Sequence, residues 1–248
     1  MTTSPVLALE SVQVYYGESH ILHGVSFEIP LREISALLGR NGVGKTTTIQ
    51  TILGLPPPRL GRIFLKGEPI SGLPMYEIVR RGVGWVPQGR RIFTTLTVEE
   101  NLVLAKTKAR QGAWTLERIF QQFPVLEKTR RKLGGTLSGG EQQMLAIARA
   151  LIQNPDVLLM DEPSEGLAPM MADKIGEIVR QLRDGGCSIL IVEQNLSFTL
   201  ALANQVLVMS KGEIVFNGTA EMLSNDQEVC RQFLGVSATV DERLPQTR

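Results

Sequence analysis

Eight residues, Gly39–Thr46 with the sequence GRNGVGKT, restrict what this chain can fold into more than any other feature. They stand between an apolar run, Ile34–Leu38, and a segment that reads as helix, Lys45–Leu53. The pattern G-x-x-x-x-G-K-[ST], placed between a strand and a helix, is a loop that cradles phosphate. Its glycines let backbone N–H groups curl around phosphate oxygens, and the helix start adds partial positive charge. In such a loop Lys45 reaches the β- and γ-phosphates of a nucleotide, and the Thr46 hydroxyl holds Mg²⁺.

The rest of the chain is patterned to surround that loop. Strands are expected at Val6–Tyr15, Val25–Ile29, Arg62–Lys66, Val83–Val86, Val157–Met160 and Ser188–Val192. Val206–Met209 and Glu213–Phe216 flank the turn Ser210–Lys211–Gly212, which reads as a hairpin. Helical periodicity covers Thr97 to about Arg131, a candidate inserted subdomain, and then the stretch after Ser138, Met170–Arg183 and Ser197–Ala203. Asn154–Pro155 ends the second of these. Strands alternating with helices imply an α/β fold with a mostly parallel sheet covered on both faces. At 248 residues the chain suits one large domain, or a core with an insertion.

Composition removes several function classes. Lys plus Arg number 26 and Asp plus Glu 25, so no overall charge draws the chain to nucleic acid. From Lys106 to Lys132, however, eight basic residues meet two acidic ones. That run is a solvated helical face or, alternatively, a surface near anionic lipid headgroups or an acidic partner. The two cysteines, Cys187 and Cys230, lie too far apart in sequence to suggest a disulfide framework or a metal site, so a reducing compartment is expected. MTTSPVLALE lacks the pattern of a signal peptide, and no run of about 18 apolar residues spans a membrane.

Three further stretches carry chemistry. In VLLMDE, Val157–Glu162, an apolar strand ends in two carboxylates: Asp161 suits the shell of Mg²⁺ and Glu162 suits polarising a water for in-line attack. In LSGGEQQ, Leu137–Gln143, Ser138, Gly139 and Gly140 open a helix and form a second anion-binding start. One ATP needs one phosphate loop, so the second start is expected to serve the nucleotide of another subunit. In CSILIVEQNLS, Cys187–Ser197, the buried strand Ile189–Val192 runs into Glu193, Gln194 and Asn195.

In that order, Gly39–Thr46, Leu137–Gln143 and Val157–Glu162 resemble the Walker A, signature and Walker B motifs of ABC transporter ATP-binding subunits. The resemblance covers residues 6 to 235. It implies a P-loop fold of ABC type as a single domain, 1–248. An N-terminal antiparallel β subdomain and a core of 6–96 and 137–235 are expected, with a helical subdomain at about 97–136 and a flexible tail at 236–248. It implies ATP and Mg²⁺ as ligands. Nucleotide contacts fall to Tyr16, which would stack on adenine, and to Gly39, Arg40, Asn41, Gly42, Val43, Gly44, Lys45, Thr46, Thr47 and Gln88. Thr46, Gln88 and Asp161 would hold Mg²⁺. Glu162 and Gln194 would be catalytic, and Ser138, Gly139 and Gly140 would touch the γ-phosphate across a dimer of ATPase subunits.

VPQGRRIFTTLTVEENL, LSGGEQQMLAIARAL, DEPSEGLAP and VEQN are similar to the LivF-type ATPase of branched-chain amino acid importers; urea and short-chain amide importers carry related ATPases. The implied partners are a second ATPase subunit, in a homo- or heterodimer, two membrane-spanning permease subunits and, indirectly, a periplasmic solute-binding protein, with no nucleic acid. The implied place is the cytoplasmic face of the inner membrane, held peripherally. Two positions depart from the general family: Ala168 stands where an aspartate is common, and Gln194 stands where a histidine is expected. The competing classes are a soluble, non-transport ABC ATPase and a small-molecule kinase. The kinase has no need of the signature helix.

Overall fold

A computed structural model describes residues 4–106 and 112–235. Its N-terminal part follows from alternation: along β1 (Leu7–Tyr16), Leu7, Leu9, Val12 and Val14 are buried. Strict period-2 order would bring Ser11 inward. Instead the backbone shifts register between Leu9 and Val12, with Ser11 at φ 48°, and this bulge returns Val12 and Val14 to the core. β2 (Ser19–Ile29) pairs back antiparallel across a turn at Gly17–Glu18. This strand is longer than the Val25–Ile29 expected from sequence. A cross-strand stack supports its polar half: Tyr15 lies 4.1 Å from His20, and His20 lies 3.9 Å from His23.

The chain continues through β3 (Ile34–Leu38), α1 (Lys45–Ile52), β4 (Leu60–Leu65), β5 (Glu68–Pro69), α2 (Met75–Arg81) and β6 (Val83–Val86). Next come α3 (Val98–Ala105), α4 (Leu116–Gln122), α5 (Pro124–Lys128), α6 (Gly139–Leu151), β7 (Val157–Asp161), α7 (Pro169–Asp184) and β8 (Ser188–Glu193). It ends with α8 (Leu196–Leu200), β9 (Gln205–Ser210), β10 (Glu213–Gly218), α9 (Ala220–Asn225), α10 (Gln227–Val229) and a π turn at Cys230–Leu234. One sheet, in the order β2-β1-β4-β5, is antiparallel. The other runs β10-β9-β3-β8-β7-β6 and is parallel except for β10 at its edge.

The apolar runs are continuous because the parallel sheet is buried on both faces. Leu158, Met160, Ile189 and Ile191 pack against the helices α3–α8, whereas Val157, Leu159, Leu190 and Val192 pack against α1 and the antiparallel sheet. Cys187 sits at the edge of the first core, where burial pushes its thiol up to about 12. The stretch from Thr97 is helical in three short pieces rather than one. Thr97 starts α3 with a capping box to Glu100, and the buried Asn101 amide ties α3 to the carbonyls of Phe93, Leu96 and Thr97. β5, α2, α9 and α10 had no clear sequence signal, being two to seven residues long. The expected flexible tail, 236–248, and part of the basic run, 107–111, lie outside the described residues. Among the described residues no helix is long and apolar enough to cross a membrane.

Parallel pairing brings the C-terminal ends of β3, β8, β7 and β6 to one edge of the sheet. The loops that leave those ends form the candidate site, the usual place for a ligand in an open α/β sheet.

Candidate functional site

The phosphate loop leaves β3 where only glycine fits. A Cβ on Gly39 would lie 2.5 Å from the Met209 carbonyl oxygen of β9. Gly44, at φ 114°, is the N-cap of α1, and a Cβ there would lie 2.8 Å from Leu22 Cδ2. No side chain caps α1 and no acid stands in its first turn, so its first N–H groups stay free for an anion. Lys45 is buried; its ammonium donates to the carbonyls of Gly39 (2.9 Å) and Arg40 (3.1 Å). Burial lowers its pKa, opposed by the carboxylates of Glu162, Asp161 and Glu193. Arg40, Asn41 and Gly42 are exposed at the mouth, while Val43, Thr46 and Thr47 are half-buried.

Asp161 ends β7 and is 2% exposed. Desolvation pushes its carboxyl up to about 6, against the Thr46 hydroxyl, which donates to Oδ1 at 3.3 Å. The next residue, Glu162, has a left-handed backbone, φ 48°. That conformation costs roughly 1–3 kcal/mol in a residue with a side chain and persists where its surroundings over-determine it. Here the Glu162 N–H donates to Val192 O (2.9 Å), and Glu162 O accepts from Glu165 N–H (3.1 Å).

Glu162 is the hub of the site. Its Oε1 accepts from Gln194 Nε2 (3.0 Å) and lies 3.8 Å from Lys45 Nζ. Its Oε2 accepts from Gln88 Nε2 (3.0 Å), which also donates to Glu165 Oε2 (3.0 Å). Ionised carboxylates only accept, so both amides turn their nitrogens toward it. The segments after β3, β6, β7 and β8 thus meet at one carboxylate. Tyr16, at the end of β1, is 47% exposed, and its hydroxyl donates to Gln50 of α1 (3.2 Å).

Thr46, Asp161 and Gln88 offer hydroxyl, carboxylate and amide oxygens, the hard donors that Mg²⁺ takes. Among the described residues no group of three or more His, Cys, Asp or Glu is placed to hold a metal.

The other expected residues stand apart. Ser138 is the N-cap of α6 and closes a capping box with Glu141. Gly139 packs under the Arg90 guanidinium, and Gly140 is buried beside Met171. Among the described residues no hydrogen bond or ion pair links Ser138, Gly139 or Gly140 to the phosphate loop. Ala168 is the N-cap of α7 and supplies no side-chain cap, which an aspartate would. Two acids at the site had no assigned part in the sequence reading: Glu165, which shares Gln88 with Glu162, and the buried Glu193. The signal for Glu193 was an acid ending the apolar run Ile189–Val192.

Comparison with known proteins shows the family. Residues 22–165 match the family model described as ABC transporter. The chain is 42% identical over 232 residues to the high-affinity branched-chain amino acid transport ATP-binding protein BraG of Pseudomonas aeruginosa, covering 93% of this chain and 100% of the relative. It is 37% identical to the lipopolysaccharide export system ATP-binding protein LptB of Haemophilus influenzae, covering 93% of this chain and 97% of that one. Among solved structures, an ATP-binding cassette of an ABC transporter in its ADP conformation superposes with a TM-score of 0.77 at 29% identity, over 89% of this chain and 93% of that one. The chain therefore belongs to the ABC transporter family, as one of its ATPase subunits.

Proposed function

We propose that this chain energises an ABC importer for branched-chain or other hydrophobic amino acids, working at the cytoplasmic face of the membrane. The observation that carries the hydrolytic part is the meeting of Lys45, Gln88 and Gln194 at the Glu162 carboxylate. The phosphate loop binds the β- and γ-phosphates through its N–H groups and Lys45, and Tyr16 stacks on adenine. Glu162 takes the proton of the attacking water, and the Gln88 and Gln194 amides orient its carboxylate for that task. The Gln194 amide donates to the developing charge or to that water; it cannot carry a proton. Thr46, Asp161 and Gln88 would hold Mg²⁺, which would supply charge neutralisation at the phosphates. Ser138, Gly139 and Gly140 close over the nucleotide of a second ATPase subunit.

The substrate class rests on the likeness to BraG and on the stretches named above. The partners follow as two permease subunits, a second ATPase and a periplasmic solute-binding protein. Reconstitution with the co-encoded membrane subunits in proteoliposomes tests this. Phosphate release should rise when the cognate solute-binding protein carries leucine, with no phosphorylated acceptor formed. A response to urea or a short-chain amide instead moves the substrate class. Stimulation by lipopolysaccharide extraction supports the export reading that the likeness to LptB favours. Co-purification with nucleic acid or ribosomes rather than membrane subunits overturns the transport assignment.

A further inference from the structure

Glu193 is the last residue of β8, in register with Leu38 of β3, and is 3% exposed. A carboxylate that deep needs partners. Its Oε1 accepts from the backbone N–H of Ser164 at 2.9 Å. Its Oε2 accepts from the N–H of Gln194 (3.0 Å) and of Asn195 (3.2 Å). One side chain therefore joins the loop after β7, two residues beyond Glu162, to the loop that carries Gln194.

We propose that Glu193 is a positioning residue for ATP hydrolysis, whose carboxylate straps the Glu162 loop to the Gln194 loop and so holds the two side chains in contact. This rests on reading Glu162 and Gln194 as the hydrolytic pair. A second link, Glu162 N–H to Val192 O of β8, is pure backbone and depends on no side chain. The strap is specific to a carboxylate. Three N–H donors point at it, and it offers only acceptors. A glutamine would turn its NH₂ toward either Ser164 or the Gln194–Asn195 pair, donor against donor. An aspartate keeps the charge but is one methylene too short to serve both loops. The left-handed backbone at Glu162 makes the strap consequential, since that conformation depends on its surroundings.

The test uses the full-length chain and three readouts. Glu193→Gln should lower kcat by up to about 10²-fold, the scale on which a misplacement of about 1 Å acts, with the Kd for ATP unchanged. Because Glu193 works through the contact with Gln194, the same substitution in a Gln194→Ala background should cost much less. Amide hydrogen exchange at Ser164 should quicken in Glu193→Gln, whatever the activity. If that variant does not fold, Glu193→Asp serves, with the same directions expected. Unaltered exchange at Ser164, or an equal loss of kcat in both backgrounds, overturns the proposal. Should Ser164 exchange respond while Glu162→Gln hydrolyses ATP normally, the strap stands and the hydrolytic reading of Glu162 fails.

Discussion

Two helices of this chain start at glycine-rich turns, and their first turns are finished in opposite ways. α1 begins at Gly44 with no side-chain cap and no acid, beside a buried lysine. α6 begins at Ser138, whose hydroxyl accepts from Glu141 N–H while Glu141 accepts from Ser138 N–H at 2.7 Å. The first start leaves its N–H groups and positive end for a ligand. The second satisfies two of its own donors and carries a carboxylate, whose pKa is held low by the bonds from Ser138. Around α1, the site draws on four loops of the same chain. Around α6, no such assembly forms among the described residues. The same kind of glycine-rich start is thus left uncapped in one place and closed by its own side chains in the other.

The sharpest way to break this contrast is Lys45→Ala. It should nearly abolish hydrolysis and weaken ATP binding, lowering kcat/KM by more than about 10³-fold; ordinary turnover in the folded variant would mean that α1 is not the phosphate site. Glu162→Gln comes next. Binding should persist while kcat falls at least about 10²-fold, and light scattering with Mg-ATP should show a larger species, for this chain alone or with its partner ATPase. If neither combination associates, the trans role of α6 has no support.

Gln194→Ala should cost about 10²-fold in rate, the lower end for losing one preorganised donor, because Lys45 and the loop N–H groups share the charge. Gln194→His should keep substantial activity and add an inflection near about pH 6.5 in kcat, which glutamine cannot produce. A rate for Gln194→Ala equal to the wild type would reduce this residue to a solvated loop.

Asp161 sharpens the α1 side through stability. Its folded carboxyl stands at about 6, above the ordinary 3.8. The folded chain therefore holds this proton more tightly than the unfolded one, and stability falls as pH rises from about 4 through about 6. Asp161→Asn should flatten that fall and raise the nucleotide-free stability at pH 7 by an amount on the order of 2 kcal/mol, read as a higher Tm, while losing Mg²⁺-dependent hydrolysis. A lowered Tm would show that the buried charge is compensated. The smallest effect should come from Ser138→Ala: about 1 kcal/mol from the lost cap, and a loss of rate seen only at concentrations where subunits associate. A loss independent of concentration would place α6 in the chain's own site and end the contrast.

Much of this site is legible in the sequence. GRNGVGKT and the acids closing VLLMDE are local patterns, and the strand–loop–helix context they need is also local. β6, at Val83–Val86, lies where its apolar run placed it. The short elements β5, α2, α9 and α10 were not, because so few residues carry too little periodicity to stand out. β2 reaches further than its apolar core, and there Tyr15 of β1 stacks on His20, which stacks on His23 of the same strand.

By itself the sequence determined most of the buried strands, which loop has the glycine spacing of a phosphate cradle, and which acids end at a strand tip. It did so because side-chain period, glycine spacing and the strand-to-helix change all act within about ten residues. Only the tertiary structure decided that Gln88, Glu162 and Gln194 meet, that Glu165 shares the contact, and that Glu193 turns inward to bind two loops. Those meetings depend on β8 lying between β3 and β7, an order that is not the order of the chain. Such adjacency is set by how both faces of the sheet are covered, and no short stretch of residues encodes it.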